Sequence, residues 1–134
     1  EGTVLVTVSN RDKEDILDAV RGFRDLGFKI RATGGTTRFL KENGVEAESI
    51  LKVHQGRPNI VDAIMNGEIQ LVINTPAGKK SEYDDSYIRK AAIRYGVSYI
   101  TTTAAATAAV EGIRQRRNGA YTVKSLQDYH RDID

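Results

Sequence analysis

The sequence contains no cysteine, so it can form neither a disulfide framework nor a thiolate metal site. It contains no tryptophan, and its six tyrosines are too scattered to form an aromatic platform for nucleic acid. Its 20 basic and 18 acidic residues leave a net charge of only +2, too small for bulk attraction to nucleic acid or a membrane surface. No apolar run approaches the roughly 20 residues that span a bilayer. These absences predict a soluble globular protein.

The length of 134 residues and a hydrophobic content of 40% suit one domain with a real core. We see neither an internal repeat nor a low-complexity linker, so residues 1–134 are predicted to form a single domain. The sequence starts without methionine and runs almost directly into a strand, which leads us to expect a fragment of a longer chain.

Strand and helix patterns alternate five times along the chain. Short β-branched or apolar runs predict strands at 4–8, 29–32, 46–51, 69–73 and 97–100, and a helical pattern follows each. Such alternation predicts a three-layer α/β fold, in which a mostly parallel five-stranded sheet carries helices on both faces. The fifth helix is expected to end before Asn118-Gly119, and the tail at 120–134 could add an edge strand at 121–123 and a short helix capped by Ser125.

The turn at 32–37, Ala-Thr-Gly-Gly-Thr-Thr, lies where the second strand gives way to a helix. It offers an anion hydroxyl groups, flexible glycine backbone and the unpaired N–H groups of a helix start. The loops at 9–13 and 74–80 have similar compositions, although any one of these loops taken alone is better explained as an ordinary turn. Because parallel sheets bind ligands at the carboxyl ends of their strands, we predict that the three loops converge on one phosphate-binding crevice.

Fixed cations and hydroxyl groups in these loops are the candidate phosphate ligands. Lys13 lies near the first helix start and can meet Thr33 and Thr36 from the adjoining strand end. Taken alone, Lys13 would be a solvated surface lysine, and its significance comes from this setting. Lys52, Asn74 and Thr75 are expected to close the far side of the crevice.

The other polar residues have ordinary structural explanations. His54 has no partner carboxylate or second ligand in the sequence pattern, so we expect a solvated or structural histidine and no metal site. Asp84 and Asp85 are expected to cap the fourth helix.

Two basic groups remain. Arg114, Arg116 and Arg117 fall in the expected last turn of the fifth helix, where cations offset the helix dipole. Lys79 and Lys80 follow a strand end, and they could either reach a second anionic group or remain in water.

Four motifs carry a family resemblance. They are Ala-Thr-Gly-Gly-Thr at 32–36, Lys-Val-His-Gln-Gly-Arg-Pro at 52–58, Ile-Asn-Thr-Pro at 73–76 and Tyr-Ile-Thr-Thr at 99–102. In this order and spacing they resemble the C-terminal domain of the large subunit of glutamine-dependent carbamoyl phosphate synthetase. The resemblance extends from about residue 3 to residue 113 and implies a methylglyoxal-synthase-like fold.

The resemblance implies a cytoplasmic, regulatory domain that is not itself catalytic. Such a domain binds a nucleoside monophosphate, either the inhibitor UMP or the activator IMP, and alters ATP use in neighbouring synthetase domains. The resemblance assigns ATP and Mg²⁺ to those synthetase domains. It implies a glutaminase small subunit as a further partner. The sequence does not decide whether the chain forms a homo-oligomer. The implied phosphate ligands are Lys13, Thr33, Thr36, Lys52 and Asn74, with Thr75, Thr102 and Lys79 near the sugar or base.

Some features depart from the family pattern. Pro76 replaces a threonine of some members, and the acidic side chain that helps some members bind ornithine is missing near Ile100. Sensitivity to ornithine is therefore not expected.

Two alternatives remain. A methylglyoxal synthase would need an aspartate base after a glycine-rich turn, but the turn at 56–59 contains Arg57 and no carboxylate follows until Asp62. A stand-alone nucleotide-binding module is the other alternative.

Overall fold

The structure is a computed structural model that describes residues 2–76 and 82–126, with side chains described as far as residue 117. Its strands are β1 (Thr3–Thr7), β2 (Lys29–Ala32), β3 (Glu48–Ser49), β4 (Leu71–Asn74) and β5 (Ser98–Ile100). Its helices are α1 (Lys13–Asp25), α2 (Gly34–Glu42), α3 (Ile60–Met65), α4 (Glu82–Arg94) and α5 (Thr103–Leu126). Short 3₁₀ turns at Asn10–Asp12 and Val53–Gln55 follow β1 and β3.

The five strands form one parallel sheet in the order β3-β2-β1-β4-β5. Alternate side chains of the central strand enter two different cores, as the two-residue period of a strand requires. Val4 and Val6 pack with α1, α2 and α5, whereas Leu5 packs with α3 and α4. The prediction of a three-layer sheet with helices on both faces is therefore confirmed.

Helices α1 and α5 approach each other closely at Gly22. A Cβ atom at this position would lie 2.6 Å from Val110 Cγ1, closer than two carbon atoms can pack. The chain then turns at Gly27, whose φ of 98° lies in the left-handed region that glycine adopts without strain. Hydrogen bonding of Lys29 N to Gly2 O starts the pairing of β2 with β1.

Two predicted boundaries are wrong. The strand expected at 46–51 is reduced to two residues because it lies at the sheet edge, where only one neighbour supplies hydrogen bonds. The fifth helix does not end at Asn118-Gly119 but continues to Leu126, so residues 121–123 are helical and form no edge strand. Each further helical residue adds a backbone hydrogen bond, which outweighs the weak local stop signal. Lys79, Lys80 and residues 127–134 lie outside the described residues.

None of the helices in the described ranges has the length and apolar character needed to cross a bilayer.

Candidate anion-binding site at the carboxyl edge of the sheet

The loops after β1, β2 and β4 are tied directly to one another at the carboxyl edge of the sheet. Thr33 Oγ1 donates a hydrogen bond to Thr7 Oγ1 over 3.0 Å. Thr75 N donates to Thr7 O at 3.1 Å, and Ser9 N donates to Thr75 Oγ1 at 2.9 Å. The structure thus brings the three predicted loops together, because their strands are adjacent in the sheet.

The glycine-rich turn forms the start of α2. Thr33 occupies the N-cap position with extended backbone, and Gly34 and Gly35 make the first turn of the helix. The first N–H groups of a helix have no partner within it and carry its positive dipole end. Val8 N lies 3.4 Å from Thr36 Oγ1, which holds this turn against the loop after β1. A Cβ atom on Gly35 would lie 4.0 Å from Lys13 Nζ, so the lysine faces the turn.

Lys13 is held in place beside this turn. Its Nζ donates to Val8 O at 3.2 Å and to Asn10 Oδ1 at 2.7 Å. Partial burial lowers the pKa of Lys13 from its ordinary value, and the nearby positive charge of Lys52 lowers it further. The Lys13 ammonium group therefore lies near the start of α2, with the positive charge of Lys52 in its surroundings.

The 3₁₀ turn after β3 carries Lys52. Lys52 N donates to Gln55 Oε1 at 2.8 Å, and Gln55 N donates to Lys52 O at 3.0 Å. This reciprocal pair fixes the backbone from which the Lys52 side chain projects.

His54 has a partner that the sequence pattern did not reveal. Its Nδ1 lies 2.7 Å from Asp84 Oδ2, and its backbone N also approaches this oxygen at 3.4 Å. The imidazole is 61% exposed, whereas the Asp84 carboxylate is only 8% exposed. The expectation of a histidine without a carboxylate is therefore wrong, and the two residues were missed because 30 positions separate them in the sequence.

Helix α4 begins at Glu82, so Asp84 and Asp85 lie inside its first turn and not at the predicted cap position. Both side chains bond to other residues. Asp84 accepts from His54, and Asp85 Oδ1 accepts from Asn74 Nδ2 at 3.0 Å. Asn74 Nδ2 also lies 3.0 Å from the Tyr99 hydroxyl, whose pKa is raised by burial. The amide of Asn74 is therefore held by α4 and β5 together.

Thr75 and Thr102 differ in their surroundings. Thr75 is buried and its hydroxyl binds the loop after β1, whereas Thr102 is exposed and its Oγ1 accepts from Ala105 N at 3.1 Å. Thr102 thus caps the start of α5.

Asp62 is engaged in fixing the start of α3. It accepts from Arg57 Nη2 at 2.6 Å and from Asn59 N at 2.8 Å, and the Arg57 hydrogen bond lowers the pKa of Asp62 below its ordinary value. A carboxylate with a lowered pKa and a bound arginine is poorly suited to act as a general base near neutral pH.

The arginines of α5 lie in the middle of the long helix and not in its last turn, so the predicted role in offsetting the dipole is wrong. Arg114 Nη1 bonds Glu111 at 2.6 Å, and Arg117 donates to Leu26 O and lies over the Phe28 ring. Arg116 is exposed.

A cavity of about 710 Å³ lies at the opposite, amino end of the sheet, where Thr3 and Lys29 begin their strands. None of the predicted phosphate ligands lines it. Arg31, which does line it, is paired with Glu48 and Glu68, so its charge is already compensated. Across the described parts of the chain, no group of three or more acidic or histidine side chains could hold a metal ion.

Residues 15–101 match the family of MGS-like domains. The chain is 50% identical, over 98% of its length, to the carbamoyl phosphate synthase large chain of Archaeoglobus fulgidus, of which it covers 12%. It is 46% identical, over 97% of its length, to the C-terminal section of the same large chain in Aquifex aeolicus, of which it covers 25%. The chain thus spans only a small part of these relatives.

Among solved structures, methylglyoxal synthase from Elizabethkingia anophelis superimposes with a TM-score of 0.66 at 18% identity, covering 82% of this chain and 77% of that one. ForH superimposes with a TM-score of 0.64 at 21% identity, covering 86% of this chain and 80% of that one. Both likenesses confirm the predicted fold. With its parallel sheet, its match to the family model over residues 15–101 and its similarity to carbamoyl phosphate synthase large chains, this chain belongs to the family of MGS-like domains.

Proposed function

We propose that this chain is the effector-binding regulatory domain of a carbamoyl phosphate synthase large chain, and that its effector is a nucleoside monophosphate such as UMP or IMP. The similarity to the C-terminal sections of such large chains supports the assignment to the parent protein. The chemistry of the carboxyl-edge crevice supports the assignment of the ligand.

One observation carries the ligand class, namely the position of the Lys13 ammonium group against a glycine-rich helix start. Partial burial and, to a smaller extent, the positive charge of Lys52 lower the pKa of Lys13. A bound anion would offset both effects, because it stabilises the charged form of the lysine. A phosphate monoester carries between one and two negative charges at neutral pH and three acceptor oxygens, so it can also accept from the N–H groups at the start of α2.

In this proposal the phosphate lies among Lys13, Thr33, Thr36, Lys52 and Asn74. The hydroxyl of Thr33 already binds Thr7, and the amide of Asn74 already donates to Asp85 and Tyr99, so these two residues act mainly by fixing the site. The sugar and base lie toward Thr75 and Thr102.

The catalytic work of the parent protein is assigned to its other parts. We propose that the parent is an ATP- and Mg²⁺-dependent, glutamine-hydrolysing ligase of the cytoplasm that supplies carbamoyl phosphate for pyrimidine and arginine biosynthesis. Its partners are synthetase domains of the same subunit and a glutaminase small subunit. An effector that binds two states of that enzyme with unequal affinity would shift its activity, whereas equal binding would not.

Calorimetric titration of the 134-residue chain with UMP, IMP and dihydroxyacetone phosphate tests the proposal. We expect saturable binding of at least one nucleotide, weakened by added salt, and no formation of methylglyoxal. Absence of nucleotide binding at millimolar concentration would contradict the proposal, and methylglyoxal production would favour a lyase. Assays of the full-length enzyme with each nucleotide then measure the sign of regulation.

A further inference from the structure

The turn that carries Lys52 is fastened to the first turn of α4 by a carboxylate. Asp84 Oδ2 lies 2.7 Å from His54 Nδ1 and 3.4 Å from the backbone N of the same residue, so one oxygen faces two nitrogen atoms of the turn. The Asp84 carboxylate is almost buried, whereas the His54 ring is exposed. Because a buried carboxylate is costly unless hydrogen bonds replace its hydration, this contact holds the turn and the helix to each other.

Lys52 belongs to the same fastened unit. Its backbone forms the reciprocal bonds with Gln55 that close the 3₁₀ turn, and His54 lies between these two residues in the sequence. Val53 packs against the core between the sheet and the α3–α4 layer. Loss of the Asp84 bond would therefore loosen the turn without releasing it, and would loosen with it the point from which the Lys52 side chain projects.

The position of this turn matters for Lys13. Burial, and then the positive charge of Lys52, lowers the pKa of Lys13, so the charge of Lys52 acts on the Lys13 ammonium group. An anion bound beside Lys13 is therefore also attracted by Lys52, and this attraction depends on the distance at which the turn holds the second lysine.

The negative charge at the start of α4 does not itself favour an anion. Asp84 and Asp85 are neighbours there, and Asp85 Oδ1 accepts from Asn74 Nδ2 at 3.0 Å. The field of both carboxylates opposes the binding of a phosphate nearby. The first turn of α4 contributes through its bonds, because it holds one residue of the turn after β3 and the last residue of β4.

Resting on the proposed function, we propose that Asp84 is a positioning residue of the anion-binding site, which holds the Lys52 turn through its bond to His54 and does not contact the ligand. This role and a purely electrostatic role have opposite signs. If Asp84 acted by its charge alone, its removal would strengthen anion binding, whereas the loss of a positioning bond weakens it.

Calorimetry with UMP compares the unsubstituted 134-residue chain with Asp84→Ala, Asp84→Asn and Lys52→Met. We expect Asp84→Ala to weaken UMP binding roughly 2- to 12-fold, the change in affinity that corresponds to one hydrogen bond. Asp84→Asn should retain most of the affinity, because its amide oxygen still accepts from His54. In the Lys52→Met background Asp84→Ala should change the affinity little further, since the lysine that it positions is absent.

Asp18 in α1 provides the matched control. Its side chain is 97% exposed, and its ion pair with Arg21 spans 3.7 Å. Asp18→Ala removes a carboxylate of the same type and should leave the UMP affinity unchanged. Thermal unfolding establishes that each variant is folded. If Asp84→Ala does not fold, His54→Ala breaks the same bond from its exposed side and should give the same loss.

A second measurement needs no ligand, namely an NMR titration of the Lys13 side chain. Asp84→Ala should raise the pKa of Lys13 toward its ordinary value, as Lys52→Met does, and the two increases should not add. Removal of the Asp84 charge without movement of the turn would instead lower this pKa, because a negative charge stabilises an ammonium group.

The outcomes separate this inference from the proposed function. Stronger or unchanged UMP binding in Asp84→Ala, or a fall in the pKa of Lys13, would overturn the positioning role. An equal loss of affinity in the Lys52→Met background would also overturn it, since Asp84 would then act elsewhere. If UMP does not bind the unsubstituted chain, the proposed function fails, and the titration of Lys13 alone decides whether Asp84 positions Lys52.

Discussion

The two ends of the sheet are built in opposite ways. At the carboxyl end, polar side chains are buried, and this end contains all the buried polar residues of the described part of the chain: Thr7, Thr33, Thr36, Thr37, Asn59, Asn74, Thr75 and Asp84. At the amino end, helices α1, α3 and α4 turn back into strands through glycines with positive φ at 27, 67 and 96. Polar groups are thus buried at one end, whereas short glycine-containing turns connect helices to strands at the other.

The difference separates binding from stability. Burying hydroxyls and amides gains little for folding compared with burying apolar groups, and it requires that each group find a partner. The carboxyl edge meets this requirement through bonds between loops, such as Thr33 to Thr7, which also fix donors around the crevice. We therefore expect substitutions in the core to change unfolding, and substitutions at the carboxyl edge to change anion affinity.

The largest effect is expected from the core. Ile64 in α3 is 1% exposed and packs in the cluster between the sheet and the α3–α4 layer. Ile64→Ala should lower the free energy of unfolding by about 2–5 kcal/mol, because it removes apolar contacts and leaves a cavity. Urea denaturation measures this loss. The UMP affinity of the folded fraction should be unchanged, and a parallel loss of affinity would show that the two ends are not separable.

Substitutions at the carboxyl edge should change the affinity for UMP. Lys13→Ala and Thr36→Ala should each weaken UMP binding by about 1–3 kcal/mol, the usual range for a lost charge-assisted hydrogen bond. Calorimetry provides the measurement. Arg116→Ala removes an exposed charge of α5 and serves as the control, for which we expect no comparable loss. Equal affinities in all three variants would place the anion elsewhere.

The contact of α1 with α5 allows a test of core packing in which no polar side chain is changed. Gly22→Ala places a methyl group against Val110 and should cost about 1–3 kcal/mol of stability through overpacking. A double-mutant cycle with Val110→Ala should recover part of that cost, since the two substitutions act on one contact. Additive losses in the cycle would mean that the helices separate instead of pressing on Val110.

The smallest effect is expected from a substitution that changes both stability and anion binding. Burial is the larger cause of the lowered pKa of Lys13, and the positive charge of Lys52 adds to it. Lys52→Met removes only this second contribution, so it should raise the stability of the ligand-free chain by at most about 1 kcal/mol at pH 7. A lysine with a lowered pKa in the folded state destabilises that state at low pH and ceases to do so as the pH rises through the folded and then the unfolded value. The gain should therefore disappear above about pH 10.5.

Thermal unfolding across this pH range, with and without UMP, measures both the gain in stability and the affinity for UMP. The same variant should lose UMP affinity, so that a more stable chain binds less well. If Lys52→Met neither raises stability nor weakens UMP binding, Lys52 is not part of the anion-binding site.

Much of the fold could be predicted because its signals are local. The β-branched run of the first strand, the helical spacing after Asp12 and the glycine at 27 each depend on near neighbours in the sequence. The rule that ligands bind at the carboxyl ends of parallel strands then brings the three loops together without any knowledge of side-chain contacts.

The missed feature of the site depends on a contact between residues that are distant in sequence. The pairing of His54 with Asp84 requires that the turn after β3 meet the start of α4, which is decided by the order of the strands and not by spacing along the chain. Hence the residue types of the site could be predicted, whereas their hydrogen-bond partners could not.

The strand order has a consequence for amide hydrogen exchange. Strands β2, β1 and β4 each have neighbours on both sides, and the short strands β3 and β5 form the margins. Local opening begins at such margins and reaches interior strands last. Since the loops that are tied together start from the three interior strands, fraying of either margin would leave them assembled, and the amide protons of Val4 to Val6 should exchange only when the whole domain unfolds.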